Sequence, residues 1–378
     1  MFRKNDEIEL TIEDMSLEGA GIGHTDGVTI INKSPYRSIE VCPKAGPCGG
    51  CQLQSLEYNK QLDLKENHIR NNLIRIGGFA EDYIDSVMES IIGMEEPFYY
   101  RNKLQIPVGV DKQGNVVMGF YLSHSHDIVP IDKCYLSHPA IEDVLSVIRR
   151  WIHNENVSVY HKGHGMLRHI LIRYGFHTGQ IMVCIVGNAK EEEVISENNQ
   201  SSDKEKSKTP NTRQAKLSKQ LDRLIDLLKD TDGMTSIVFN SNCKNTNVIL
   251  GDETTLLWGR DTITDYIGDK AFHISAKSFY QVNPIQTKKI YDKVLEYASL
   301  TGDEHVWDLY CGIGTIGIYL SDKAKSIFGV EAVPQAIEDA MENAKLNGID
   351  NASFVVGKVE DIISDIRLRD KDIAEAGI

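Results

Sequence analysis

The chain has 378 residues, of which 41% are hydrophobic and 25% are charged, and its formal net charge is −14 at pH 7. This composition is typical of globular domains and excludes wholesale disorder, collagen-like repeats and coiled coils. The acidic balance excludes a basic surface over the whole chain, so any nucleic-acid contact has to come from a local patch. The sequence has no apolar run of membrane-spanning length and no signal-peptide core, which predicts a cytoplasmic protein without membrane partners.

The first part of the chain alternates between strand and helix patterns. Residues 7–31 alternate apolar and polar side chains around a hairpin signal at Thr25-Asp26-Gly27, but they are too few to close a small barrel. Residues 190–216 are polar and charged, which predicts a solvated loop or a disordered insertion. The other predicted elements are a helix over 55–76, strands over 97–131, a helix over 139–151, strands over 166–174 and 181–187, a helix over 217–229, and strands over 235–240 and 246–250.

From residue 272 onwards strands alternate with helices, which predicts a parallel, doubly wound sheet. Strand 305–310 leads into Gly312-Ile313-Gly314-Thr315-Ile316-Gly317, a G-x-G-x-x-G motif that opens a helix. Glu331 ends the next strand, where a ribose hydroxyl would be held, so the loop fits a dinucleotide or S-adenosylmethionine. Asp308 favours S-adenosylmethionine, because a carboxylate repels a pyrophosphate but suits an ammonium and a sulfonium group.

Seven cysteines are present, and three of them form a compact set, Cys42-x5-Cys48-x2-Cys51, with Cys134 as a candidate fourth member. In a reducing compartment, clustered cysteines are more often metal ligands than disulfides. Four thiolates favour zinc or an iron–sulfur cluster, and the spacing does not distinguish the two. A closed set of four ligands predicts a structural role. The other cysteines are predicted to be packed thiols: Cys184, Cys243 and Cys311.

Five segments together carry a family resemblance. They are CGGCQLQ at 48–54, YRNK at 100–103, GMLRHI at 165–170, FYQVNP at 279–284 and DLYCGIGT at 308–315. The set resembles the RNA uracil-5-methyltransferase family of the TrmA/RumA type, over the whole chain. Within that family the cysteines and the N-terminal strands resemble the enzymes of 23S ribosomal RNA more than the tRNA enzyme, which lacks both.

The resemblance implies an α/β and α+β fold in three parts. These are an incomplete OB-like TRAM domain for RNA binding over 1–40, a mixed α/β central domain with a cluster loop over 41–270, and the first half of a Rossmann-like methyltransferase domain over 271–378. It also implies a monomeric enzyme that transfers a methyl group from S-adenosylmethionine to carbon-5 of a uridine in RNA. The 23S ribosomal RNA is the first expected substrate and tRNA the second.

The resemblance further implies the residues of two sites. S-adenosylmethionine is expected to contact Gln281, Tyr310 and Glu331, beside Asp308, Gly312 and Gly314 of the glycine loop. A 4Fe-4S cluster is expected on Cys42, Cys48, Cys51 and Cys134.

RNA binding is expected to rest on a basic patch, because phosphate contacts need cations. Its principal members are Arg101, Lys103, Arg168 and Arg173, with His161, Lys162, His164 and His169 around them. Phe279 and Tyr280 are candidates either for stacking on a base or for packing in the core.

In the resembled family a cysteine thiolate adds to carbon-6 of the uracil, carbon-5 attacks the methyl group, and a glutamate removes the carbon-5 proton. The nucleophile follows an Asp-Pro-Pro-Arg segment, and no Asp-Pro-Pro occurs here. We therefore expect the nucleophile and the base to lie beyond Ile378, strand 305–310 to be an unpaired edge, and this chain to be an inactive fragment. The alternatives are an inactive iron–sulfur homologue that binds RNA, and an NAD-dependent oxidoreductase that uses the same glycine loop.

Overall fold

The computed structural model describes residues 14–15, 21–22, 34–123, 125–194 and 212–363. The chain divides into two compact units: unit 1 comprises residues 1–97 and 120–131, and unit 2 comprises residues 98–119 and 132–378. Most of the predicted TRAM strands, the middle of the polar segment and the end of the last predicted helix lie outside the described residues. The expected boundary at residue 270 falls inside unit 2, and the division into three domains stays a prediction.

Unit 1 contains the predicted helix that follows the cysteine loop. Strands β1 (Asp14–Met15) and β2 (Gly21–Ile22) form an antiparallel pair, and helices α1 (Tyr58–Arg75) and α2 (Glu81–Val87) follow. Arg70 joins the two helices, because its guanidinium donates to Asp85 at 2.7 Å and to Glu81 at 2.6 Å. Both carboxylates are exposed, so water screens these ion pairs and their contribution to stability is small.

Strands of unit 2 form a mixed sheet. The strands in this region are β3 (Lys103–Val110), β4 (Val116–Tyr121), β5 (Ile128–Pro130, in unit 1), β6 (Leu167–Tyr174), β7 (Ile181–Gly187), β8 (Met234–Ser241) and β9 (Glu253–Gly259). Within unit 2 the order is β4-β3-β6-β7-β8-β9, and each neighbouring pair is antiparallel except β7 with β8.

Three helices accompany this sheet: α3 (Pro139–Asn154), α4 (Glu191–Val194) and α5 (Thr212–Leu228). On α3 the apolar side chains recur at helical spacing from Ile141 to Ile152 and are buried. A parallel pair of strands needs a crossover connection, and α4 and α5 lie in the connection from β7 to β8. The loop predicted at 190–216 is therefore wrong at both of its ends, which are helical.

The strand predicted at 246–250 is also wrong, because these residues have no strand pairing. The side-chain amide of Asn242 donates to the carbonyls of Val248 at 2.8 Å and Ile249 at 2.9 Å. A side chain therefore satisfies these carbonyls where a neighbouring strand would have done so, and the strand begins later, at Glu253.

The rest of unit 2 contains a hairpin and a parallel sheet. Its elements are β10 (Ile263–Ile267), β11 (Lys270–Ile274), α6 (Pro284–Ala298), β12 (His305–Asp308), α7 (Thr315–Leu320), β13 (Ser326–Glu331), α8 (Pro334–Leu346) and β14 (Ala352–Val356). The order β12-β13-β14 with parallel pairing confirms the predicted alternation of strands and helices. Among the described residues β12 pairs with β13 alone, as an edge strand does.

One apolar core joins both halves of unit 2. Leu171 and Val238 of the mixed sheet belong to the same cluster of buried side chains as Phe272, Ile313 and Phe354. Across the described ranges, none of the helices combines the length and the apolar character that a membrane crossing requires.

Candidate cofactor site

The glycine loop connects β12 to α7, and glycine is required in it for two different structural reasons. Gly312 and Gly314 have φ angles of 54° and 79°, a left-handed conformation that residues with a Cβ rarely adopt. Gly317 lies in the first turns of α7, where a Cβ would come within 2.8 Å of Cγ2 of Ile327 on β13. The first two glycines therefore form the turn, and the third allows the helix to pack closely on the sheet.

Two carboxylates lie at the carboxyl ends of β12 and β13, next to this loop. Glu331 accepts hydrogen bonds from the N–H of Gly312 at 3.3 Å and of Val333 at 3.0 Å. Asp308 accepts one from the N–H of Gly317 at 3.2 Å. Burial raises the pKa of Asp308; the Gly317 hydrogen bond opposes this shift, and the charge of Glu331 adds to it. The pair forms a partly buried negative site, which suits a ligand with positive charge and with hydroxyl groups.

The other predicted cofactor contacts lie on exposed segments. Tyr310 is 80% exposed, beside the loop. Gln281 is exposed, and its main-chain carbonyl accepts a hydrogen bond from the side chain of Asn102 at 2.8 Å. Helix α6 begins just after this segment, and its Tyr291 hydroxyl lies 2.7 Å from the hydroxyl of Thr315, the first residue of α7. The structure thus brings Asp308, Gly312 and Glu331 together, whereas direct ligand contacts of Tyr310 and Gln281 stay predictions.

Two buried residues that hold these segments were missed in the sequence. Asn102 also donates its main-chain N–H to the carbonyl of Val282 at 3.0 Å. Asn343 on α8 is fully buried, and its amide donates to the carbonyl of Ile313, inside the glycine loop, at 3.3 Å. The signal for Asn343 was a polar residue on the apolar face of a predicted helix.

The described cysteines near the sheet lack the properties of a nucleophile. Cys311 precedes the glycine loop, and burial, followed by the charges of Asp308 and Glu331, raises its pKa to about 12. Burial also raises the pKa of Cys184 to about 12. A reactive cysteine needs the opposite shift, so both fit the predicted packed thiols. Cys243 is exposed, which contradicts that prediction for this residue.

The predicted iron–sulfur ligands do not form a metal site in the structure. Cys42, Cys48 and Cys51 lie in unit 1, whereas Cys134 lies in unit 2. Within the ranges that the structure describes, no three His, Cys, Asp or Glu side chains lie close enough together to hold a metal ion. Four thiols have the right donor chemistry for an iron–sulfur cluster, but this grouping gives the expected 4Fe-4S site no support.

Two arginines of the expected RNA patch hold the protein's own main chain. Arg168 is buried and donates to the carbonyls of Asn242 at 2.8 Å and Lys244 at 2.7 Å. Arg173 is also buried and donates to the carbonyls of Ala276 and Ser278. Burial lowers the pKa of Arg173 to about 10. These hydrogen bonds to main-chain carbonyls do not favour phosphate contacts, and a role of Arg168 and Arg173 in RNA binding stays a prediction.

The remaining patch members differ in exposure. Lys103 is half-buried. Burial lowers its pKa, and the positive charges of Arg173 and Arg101 lower it further. Burial likewise lowers the pKa of His169, to about 4. Three further members of the basic patch are exposed: His161, Lys162 and His164.

The two aromatic candidates for base stacking differ as well. Tyr280 is 3% exposed and packs in the core, whereas Phe279 is 70% exposed. Only Phe279 therefore has a ring that a base can reach.

Comparison with known proteins places these features among methyltransferases. Residues 300–373 match a family described as a methyltransferase domain. An uncharacterised RNA methyltransferase of Clostridium acetobutylicum is 41% identical, over 98% of this chain and 81% of its own length. Another, from Clostridium tetani, is 39% identical over 96% of this chain and 79% of its own length. Because these relatives match nearly all of this chain, the expectation of an inactive fragment finds no support in them.

A solved structure is similar over most of both chains. It is the Pyrococcus abyssi tRNA (uracil-54, C5)-methyltransferase in complex with S-adenosyl-L-homocysteine. It superimposes with a TM-score of 0.61 at 27% identity, and the match covers 87% of this chain and 67% of that one.

Proposed function

Because the chain belongs to the RNA methyltransferase family, we propose that it transfers the methyl group of S-adenosylmethionine to carbon-5 of a uridine in RNA. The observation that carries the proposal is the pair of carboxylates at the glycine loop, Asp308 and Glu331, held by the N–H groups of Gly317 and Gly312. The name of the Pyrococcus abyssi enzyme supports uracil carbon-5 as the acceptor, and the names of the curated relatives support RNA.

The residues around the loop would hold S-adenosylmethionine by charge and hydrogen bonding. Asp308 would face the cationic part of the ligand, because its partly buried carboxylate forms no ion pair with a cation among the described residues. Glu331 would accept from the ribose hydroxyls while its hydrogen bonds to Gly312 and Val333 keep it in place. Tyr310 and Gln281, both exposed, are proposed to cover the ligand. When bound, S-adenosylmethionine supplies a methyl group on a sulfonium, which is the electrophile.

Carbon-5 of uracil is a weak nucleophile, so a thiolate has to add to carbon-6 first. Neither Cys311 nor Cys184 fits this role, since burial raises the pKa of each to about 12. We therefore assign no nucleophile and no base among the described residues. The acceptor uridine has to be unpaired or flipped out of a helix to reach such a site.

The experiment that tests this proposal separates ligand binding from chemistry. Calorimetry should detect S-adenosylhomocysteine but not NAD, and Asp308→Asn and Glu331→Gln should each weaken that binding about tenfold or more. RNA transcribed without modifications should acquire 5-methyluridine, detected by mass spectrometry of the nucleosides. Methylation of another position would refute carbon-5 as the acceptor. Cofactor binding without any transfer would favour the inactive homologue, and binding of NAD would favour the oxidoreductase.

The finer choice of RNA is a further part of the proposal. We propose 23S ribosomal RNA as the substrate and tRNA as the second candidate, with a monomer as the active form. The cysteine spacing from Cys42 to Cys51 is what favours the ribosomal substrate, through the family resemblance. Mapping of 5-methyluridine in both RNAs after incubation with the enzyme decides between them.

The same spacing is the argument for a 4Fe-4S cluster, and no step of the reaction depends on it. The described residues show no group of side chains that could hold a metal ion, so the cluster is tested by measuring iron and sulfide. Anaerobically purified protein with about four irons and four sulfides per chain would establish it. Iron-free protein that still binds S-adenosylhomocysteine would refute it and leave the methyltransferase proposal intact.

A further inference from the structure

Three rings form a stacked cluster where strand β6 ends and helix α3 begins. His138 and Tyr174 lie face to face, with ring centroids 3.8 Å apart and an angle of 11° between the ring planes. Phe176 lies edge-on to both, at 5.3 Å from His138 and 5.7 Å from Tyr174. All three residues are half-buried, so part of each ring remains in contact with solvent. We call these three residues the aromatic platform.

The rings of the aromatic platform carry no charge at neutral pH. Burial lowers the pKa of His138, and its Nδ1 accepts a hydrogen bond from the N–H of Ala140 at 3.3 Å, which fixes that nitrogen as an acceptor. Burial, followed by the charges of Asp265 and Asp232, raises the pKa of Tyr174. Neutral rings that are partly exposed suit a planar, neutral partner.

The aromatic platform is tied to the predicted cofactor segment by a short series of hydrogen bonds. The N–H of Tyr174 donates to the carbonyl of Asn102 at 2.8 Å, and the N–H of His138 donates to the carbonyl of Arg101 at 3.2 Å. The side chain of Asn102 in turn donates to the carbonyl of Gln281 at 2.8 Å. One buried asparagine thus lies between the platform and the segment that precedes α6.

One cation, Lys133, and two further rings lie on the same chain segments. The N–H of Tyr99 donates to the carbonyl of Tyr135 at 2.8 Å, and their rings lie 6.2 Å apart. The ammonium of Lys133 lies over both rings, at 5.2 Å from Tyr99 and 5.0 Å from Tyr135. Aromatic faces that alternate with cations are what single-stranded nucleic acids bind, because bases stack and phosphates need positive charge.

We propose that the aromatic platform of His138, Tyr174 and Phe176 stacks on an unpaired base of the RNA substrate, with Lys133 and Arg101 beside the adjoining phosphates. This inference rests on the proposed function, because it takes the substrate to be RNA. The platform would then hold the strand next to the segment of Gln281, and so align the acceptor uridine with the cofactor. The two buried arginines, Arg168 and Arg173, have no part in it.

The test measures binding of a short, labelled, single-stranded RNA by fluorescence anisotropy, and binding of S-adenosylhomocysteine by calorimetry. Tyr174→Leu and Phe176→Leu should weaken RNA binding about 5- to 100-fold, since one base stack is lost. Tyr174→Phe keeps the ring and should bind as the wild type does. Tyr297→Leu removes an exposed ring on α6 and is the matched control, with no expected change.

Two comparisons keep this inference separate from the proposed function. Unchanged S-adenosylhomocysteine affinity in the leucine variants shows that unit 2 is folded, and the same RNA as a duplex should lose no affinity on Tyr174→Leu, because its bases are already stacked. Leucine variants that bind single-stranded RNA as the wild type does would overturn the platform, even where cofactor binding upholds the methyltransferase. A wild-type protein that does not bind S-adenosylhomocysteine would refute the proposed function instead.

Discussion

Asn343 is the residue whose replacement tests the architecture of the glycine loop most directly. Its amide donates to the carbonyl of Ile313 at 3.3 Å, and its side-chain oxygen accepts the N–H of His273 at 2.8 Å. In Asn343→Ala one buried carbonyl and one partly buried N–H lose their partners, at a cost of about 1–3 kcal/mol each. We therefore expect the free energy of unfolding to fall by about 2–6 kcal/mol. The loop also loses a hydrogen bond that holds it in place, so ligand binding has to order it. The affinity for S-adenosylhomocysteine should therefore fall about five- to tenfold.

The structure offers a matched control at the C-terminal end of the same helix, where Asn347 caps α8. Asn347 accepts the N–H of Ala271 at 2.8 Å and donates to its carbonyl at 2.7 Å, so it also ties the end of α8 to β11. In the part of the chain that the structure describes, no hydrogen bond joins its side chain to the glycine loop. Asn347→Ala should lower stability in urea unfolding and leave the affinity measured by calorimetry unchanged. Equal loss of affinity in both variants, or none in Asn343→Ala, would refute the positioning of the loop by Asn343.

Three further predictions follow from burial and packing. Burial raises the pKa of Asp308 above its value in the unfolded chain. Its ionisation therefore lowers the stability as the pH rises from the unfolded pKa through the folded pKa. Asp308→Asn should therefore raise the melting temperature at neutral pH, and it should abolish the gain in S-adenosylhomocysteine affinity with rising pH; a lower melting temperature would contradict this sign. Arg173→Met should cost about 2–4 kcal/mol of stability by urea unfolding without altering the salt dependence of RNA binding, whereas Arg101→Gln should reduce that slope by about one. Gly317→Ala gains about 1 kcal/mol of helix propensity, but its Cβ would lie 2.8 Å from Ile327, and such overpacking costs about 1–3 kcal/mol, so calorimetric melting should show a net loss of stability.

Local patterns predicted the cofactor half of the chain well. The alternation of strands and helices and the glycine motif depend on residues near one another in sequence, and the structure confirms both. The end of the strand before the loop fixed the position of Asp308, and the next strand fixed Glu331. These positions follow from the parallel sheet, in which the carboxyl ends of neighbouring strands meet at one edge.

Features that depend on distant partners could not be predicted in this way. Arg173 binds a carbonyl 105 residues away, and a basic side chain in a strand gives no sign of such a partner. The strand at 246–250 failed for a different reason, because a nearby side chain, that of Asn242, forms the competing hydrogen bonds. The aromatic platform needs His138, at the start of a helix, to meet Tyr174, at the end of a strand, and only the fold brings them together.

The apolar core that both halves of unit 2 share has a consequence for how the protein responds to its ligands. Leu171 of the mixed sheet and Ile313 of the glycine loop pack into one buried cluster, so neither half can melt without exposing the interior of the other. A ligand bound at the glycine loop should therefore protect the amide protons of β6 and β7 from hydrogen exchange, although it contacts neither strand. Unit 2 should therefore unfold in one cooperative transition with heat or denaturant. Bound cofactor should raise the free energy of unfolding of the whole unit, including the aromatic platform.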